Sequence, residues 1–162
     1  VDLLNLMGQS VMVSRFQRYF ELVRYFGQFR IIKLRIVMGL PTFDKVLDHT
    51  SYTDLRGGIL QMMGTLFAEN VKVYLYPSLN PDTGEIIYPE DAHFPADIRL
   101  LWQYLNLTGK ILILKTITSN DTGITTEFIT QLIESGDARL AQYVPERVYQ
   151  RIKEKGLFGY LH

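Results

Sequence analysis

ITTEFITQLIESGDARLAQYVPERVYQRIKEKGLFGY, residues 124–160, carries two helical patterns joined by a short polar link that ends in Val144-Pro145. Directly before it runs an apolar strand pattern, Lys110 to Ile117, and then a polar turn, Thr118 to Gly123. A strand, a turn rich in hydroxyls and a helix N-terminus together favour an anion. The first N–H groups of the helix are unpaired, and the helix dipole is positive there. The same arrangement also joins ordinary α/β units that bind nothing.

Upstream, the chain alternates helical and strand patterns. Met12, Phe16, Tyr19, Phe20, Val23 and Phe26 recur at spacings of three and four, which predicts a helix over 11–26 with Ser10 as N-cap. Arg15 and Arg18 fall on its other side, followed by Arg24 and Arg30. This basic face reads either as a contact for a membrane or an acidic protein partner, or as the solvated side of a core helix. The shortness of the helix and Glu21 favour the second. Gly27 ends that helix, within an N-terminal helical segment 1–29.

Residues 30–38, RIIKLRIVM, read as the first strand, and Gly39 to Asp44 as a turn at its C-terminal end. Open α/β sheets place ligands at that end. Ile59, Met62, Met63, Leu66 and Phe67 predict a helix weakened by Gly57, Gly58 and Gly64. Val71 to Tyr76 predicts the second strand, ended by Pro77. The segment to residue 95 is either functional or hides a short hairpin near Ile86-Ile87-Tyr88. Ile98, Leu101, Trp102 and Leu105 mark a helix that stops at Asn106 to Gly109, before the third strand. Apolar strands alternating with helices imply right-handed crossovers and a parallel sheet. The expected fold is α/β, a parallel sheet flanked by helices, with an N-terminal helix and two C-terminal helices. With no linker or repeat, one domain is expected over 1–162. The chain starts at Val1, which fits a fragment or processed product of a longer chain.

Composition narrows the classes. Lys plus Arg and Asp plus Glu number 17 each, so no global field draws nucleic acid or an anionic membrane. Cys is absent, which excludes disulfides and thiol chemistry and fits a reducing, cytoplasmic setting. No apolar run reaches the length of a membrane span. Neither a Lys-Ser/Thr phosphate loop nor a dinucleotide fingerprint is present. His49, His93 and His162 are too scattered for a His-based metal site. Asp44 and Asp48 read as a solvated pair on one helical turn. Trp102 reads as core, with base stacking near a ligand edge as its other reading.

Read for family, the C-terminal stretch has a recognisable order. Ile124-Thr125-Thr126 opens a helix, Ile129 and Ile133 hold one face, and Gly136 ends it. Val144-Pro145-Glu146-Arg147-Val148 and Ile152 follow, then Gly156-Leu157-Phe158. This resembles the C-terminal pattern of nicotinate-nucleotide adenylyltransferases, of the nucleotidyltransferase superfamily, without a gap over 124–160. There an Ile-Ser-Ser-Thr-x-x-Arg motif opens the helix. Upstream, Thr42-Phe43-Asp44 stands where the family has a Phe-Asp segment after its first strand. The departures concern charge. Glu127 and Thr130 replace the motif's Thr and Arg, and the family's His-x-Gly-His is represented by His49 alone, out of register.

The resemblance implies a Rossmann-like nucleotidyltransferase fold. It implies transfer of AMP from ATP, carried with Mg2+, to nicotinate mononucleotide, a step of NAD biosynthesis. Such transfer rests on positioning and charge neutralisation. On this reading His49 is the catalytic candidate. Thr42, Phe43, Asp44, Lys45, Trp102, Thr125, Thr126 and Thr130 are the nucleotide-binding candidates, with Lys45 or Lys115 as replacement cations. The missing His pair removes electrostatic catalysis. That leaves two alternatives: a catalytically degenerate nucleotide-binding or regulatory protein of the same fold, and a structural domain contacting a protein through its basic N-terminal helix.

Overall fold

The alternation in Val71-Lys-Val-Tyr-Leu-Tyr76 buries every second side chain, and this strand is the centre of the sheet. The computed structural model describes residues 1–80, 83–115 and 124–160. In chain order its elements are α1 (Asp2–Leu6), α2 (Tyr19–Phe26), β1 (Leu34–Gly39), α3 (Leu40–Leu47), α4 (Gly58–Leu66), β2 (Val71–Tyr76), β3 (Ser78–Leu79) and β4 (Ile86–Ile87). Then come α5 (Ala96–Leu107), β5 (Ile111–Ile113), α6 (Thr126–Glu134) and α7 (Glu146–Lys155). Contacts gather the chain into two compact units. One is Arg15–Thr122; the other joins Val1–Ser14 to Gly123–His162. Each has its own apolar cluster.

The first unit is mixed α/β. Its sheet has the order β1-β2-β5, parallel throughout, with Leu34 opposite Val71 and Val73 opposite Ile111. Ile36, Met38, Val71, Val73, Leu75 and Ile111 lie on one face and join Phe20, Phe43, Leu66, Trp102 and other helix residues in one core. The expected hairpin is present: Ser78 pairs with Ile87 and Leu79 with Ile86, antiparallel. The polar turn 118–123 expected to hold an anion lies outside the described residues, apart from the flanking Ile124 and Thr125.

Two expectations change. The helix expected over 11–26 begins only at Tyr19. Arg18 is extended, and its guanidinium bonds Glu21 at 2.6 Å and Asp54 at 2.9 Å. That tie spans 36 residues and overrides the local period. Phe16 meets the Tyr25 ring from irregular chain instead, at 5.4 Å. The turn expected over 39–44 is the start of a helix. Leu40, Phe43, Val46 and Leu47 form a buried stripe, and Pro41 fits the first turn, where no N–H is needed.

The second unit is helical. Leu132, Ile133, Leu140, Ile152 and Tyr160 form its core, with Phe128, Ile129, Val144, Val148 and Leu157 around them. α6 ends as the sequence predicts. Gly136 is left-handed, its N–H bonds Ile133 and the Asp137 N–H bonds Leu132, which satisfies two terminal carbonyls. Gly156 ends α7 in the same conformation, and α1 packs on α7. Among the described residues, no helix is long and apolar enough to cross a membrane.

Candidate functional site

Helix α3 positions most of the candidates. It begins one residue after Gly39, which faces Tyr76 across β1 and β2. A Cβ on Gly39 would stand 2.9 Å from the Tyr76 ring, so the ring's position requires glycine there. Because Leu40, Phe43, Val46 and Leu47 turn inward, Thr42, Asp44 and Lys45 are left on the outer side.

Phe43 is fully buried and Trp102 is 7% exposed. Their rings meet edge-on at 5.9 Å, and Phe94 completes the cluster at 5.1 Å from Trp102. Both side chains are core, and the base-stacking reading of Trp102 has no open ring face to rest on.

Asp44, His49, Thr42 and Lys45 divide between two clefts on either side of α3. Asp44 and His49 line a cleft of about 320 Å³ together with Asp48, Asp97, Leu47 and Phe94. Asp48 caps the 3-10 turn His49–Tyr52, its carboxylate accepting from the Thr50 hydroxyl at 2.7 Å and the Thr50 N–H at 3.0 Å. Those bonds hold the carboxyl below its ordinary range. The cleft therefore offers His49 among three carboxylates. Each opposes a phosphate charge by about 1 kcal/mol at ~4 Å in water-like surroundings.

Thr42 and Lys45 line a different groove, of about 280 Å³, with Gln17, Arg18, Ser51 and Tyr52. Tyr52 closes its floor, donating its hydroxyl to the Val46 carbonyl at 2.7 Å; burial pushes that hydroxyl's pKa up. Arg18 is committed to Glu21 and Asp54, which hold its proton more firmly. Lys45 is exposed and has no ion pair among the described residues. Lys115, the other replacement cation, is spent on Glu90 at 3.0 Å. The groove brings Gln17 and Arg18 to Lys45 from more than 25 positions away in the chain, and no local pattern marks that. Asp97 joins the other cleft in the same way.

Thr125, Thr126 and Thr130 belong to the helical unit. The Thr125 hydroxyl caps α6, accepting from the Phe128 N–H at 3.1 Å. The Thr130 hydroxyl donates back to the Thr126 carbonyl at 2.8 Å. Glu127 stands in the first turn, where the helix dipole favours its charge. The Thr125 and Thr130 hydroxyls are thus engaged within the helix itself. The residues that carry the resemblance, Ile129, Ile133, Val144, Val148, Ile152 and Leu157, are the packing residues of this unit.

Magnesium needs one or two carboxylates beside the phosphates it accompanies. Among the described residues, no three His, Cys, Asp or Glu side chains converge as a metal group. No family model, curated protein or solved structure matches the chain.

Proposed function

We propose that this chain is a nucleotide-binding protein with a Rossmann-like scaffold of the nucleotidyltransferase type, which holds a nucleotide by its phosphates without transferring AMP. The parallel order β1-β2-β5, with helices in each connection, supports the scaffold reading. One observation carries the binding reading: Lys45, uncommitted among the described residues, sits with Thr42 and Ser51 in a groove beside the helix that follows β1. A charge-assisted bond from such a group to phosphate contributes about 1.5–3 kcal/mol. The absence of transfer is read from His49, which shares its cleft with Asp44, Asp48 and Asp97 and not with Lys45.

The test combines ATP, magnesium and nicotinate mononucleotide with the purified chain. No adenylylated product is expected, while ATP raises the melting temperature and His49→Ala leaves that rise unchanged. Turnover that falls in His49→Ala would replace this reading with adenylyl transfer. No thermal shift with ATP or nicotinate mononucleotide up to about 1 mM would end it.

A further inference from the structure

The sheet of the first unit has a second face. The helices of that unit pack on the face carrying Ile36, Val73 and Ile111. The opposite face carries Arg35 and Val37 from β1, Lys72, Tyr74 and Tyr76 from β2, and Leu112 from β5. None of these six belongs to the core cluster. Val37 is 60% exposed and Tyr76 41%, and Lys72, Tyr74 and Leu112 are half-buried.

Parallel sheets occur almost only with both faces covered. The rows of this face follow from the register. Arg35 stands beside Lys72 at one end; Val37, Tyr74 and Leu112 make an apolar row across all three strands; Tyr76 leans over Gly39 at the other end. The Arg35 guanidinium donates to the Leu34 carbonyl at 3.0 Å and the Asn70 carbonyl at 3.2 Å, which fixes the group. Neither Arg35 nor Lys72 has an ion pair among the described residues, and no Asp or Glu occupies this face.

We infer that this face docks one amphipathic helix of a partner protein, apolar along its centre and acidic at the end that meets Arg35 and Lys72. The dimensions fit a single helix. The outer strands are two spacings apart, about 10 Å, against a helix diameter of ~10–12 Å. Six strand residues span about 20 Å, the length of roughly 13 helical residues. The charge selects the occupant. A second copy of this chain would bring the same face, with no acid to compensate Arg35 and Lys72. A single-stranded nucleic acid would meet Val37 and Leu112 at the centre, where stacking calls for rings.

The probe is a synthetic helical peptide of about 14 residues, with a leucine stripe and glutamates at one end, beside a control with lysines in their place. Fluorescence anisotropy with the full chain should show the glutamate peptide binding at least about tenfold more tightly. The double variant Arg35→Glu, Lys72→Glu should reverse that preference while its melt shows the chain still folded. Val37→Glu should weaken both peptides about tenfold with an unchanged melt. Equal binding of the two peptides, or binding that ignores Val37→Glu, overturns the inference. A dimer in light scattering that Val37→Glu dissociates gives the face to a second copy and also overturns it. Binding of an oligouridine that Tyr74→Ala abolishes does the same in favour of nucleic acid.

Discussion

The two units use the same kinds of residue in opposite ways. In the helical unit, the residues that resemble a family's signature are packing residues, and several of its polar groups are turned onto nearby backbone. The Thr125 hydroxyl caps α6, that of Thr130 bonds the Thr126 carbonyl, and the Asp137 carboxylate accepts from the Arg139 N–H at 2.8 Å. In the sheet unit, much of the packing is done by residues that resemble nothing in particular, while Lys45 and Thr42 stand in a groove without such local partners. A signature made of core residues reports how helices pack. It does not report what the protein binds, since the same apolar stripe serves many sites.

The largest break in this comparison comes from the cores. Phe43→Ala removes a fully buried ring that contacts Phe94 and Trp102 and should cost about 3–5 kcal/mol in denaturant unfolding. Asp44→Ala, on the outer side of the same helix, should stay within about 0.5 kcal/mol. Near-equal costs would mean that α3 does not face the core as described. In the helical unit, Ile152→Ala should cost about 2–4 kcal/mol, since that side chain is 2% exposed. A smaller effect than Thr125→Ala would remove Ile152 from the core.

Thr125→Ala should cost about 1 kcal/mol through the lost cap and leave ATP affinity unchanged. A loss of ATP binding with stability preserved would instead show that hydroxyl serving a ligand. Phe158 sharpens the comparison with a gain. It is left-handed, at φ 58°, and 67% exposed, so Phe158→Gly should stabilise by about 1 kcal/mol in thermal melts. A loss instead would show the ring packing on something.

The smallest effect is electrostatic. Asp48 and Asp137 have carboxyls held below the ordinary value of 3.8, the first by Thr50 and the second by Arg139. A depressed folded pKa means that the stabilisation is present above about pH 4 and is lost as pH falls through the lower folded value. Asp137→Asn should therefore be less stable than the parent at pH 7 and converge with it on acidification. A difference that stays constant with pH would contradict the assignment.

Much of the fold is legible in the residues. Val71 to Tyr76 alternates and is a strand at those bounds; Gly136 ends α6 by a left-handed turn that glycine alone adopts without strain. What was hidden has physical causes. Gly39-Leu-Pro reads as a turn because glycine and proline punctuate loops, yet Pro41 also suits a helix start and the stripe behind it decides. The helix at 11–26 shortens because Arg18 is fixed by Asp54, a partner no local window contains. The groove around Lys45 is illegible for the same reason, since Gln17 and Arg18 reach it from distant chain. Thr42 and Lys45 are named by the sequence, but their separation from His49 follows from which sides of α3 they occupy.

Calorimetric titration of ATP into the full chain and into Lys45→Glu tests the central claim most directly. The account predicts binding by the parent, a loss of about tenfold or more in Lys45→Glu, and no change in a Lys115→Glu control. ATP affinity unaffected by Lys45→Glu, or no heat of binding in the parent, would contradict it.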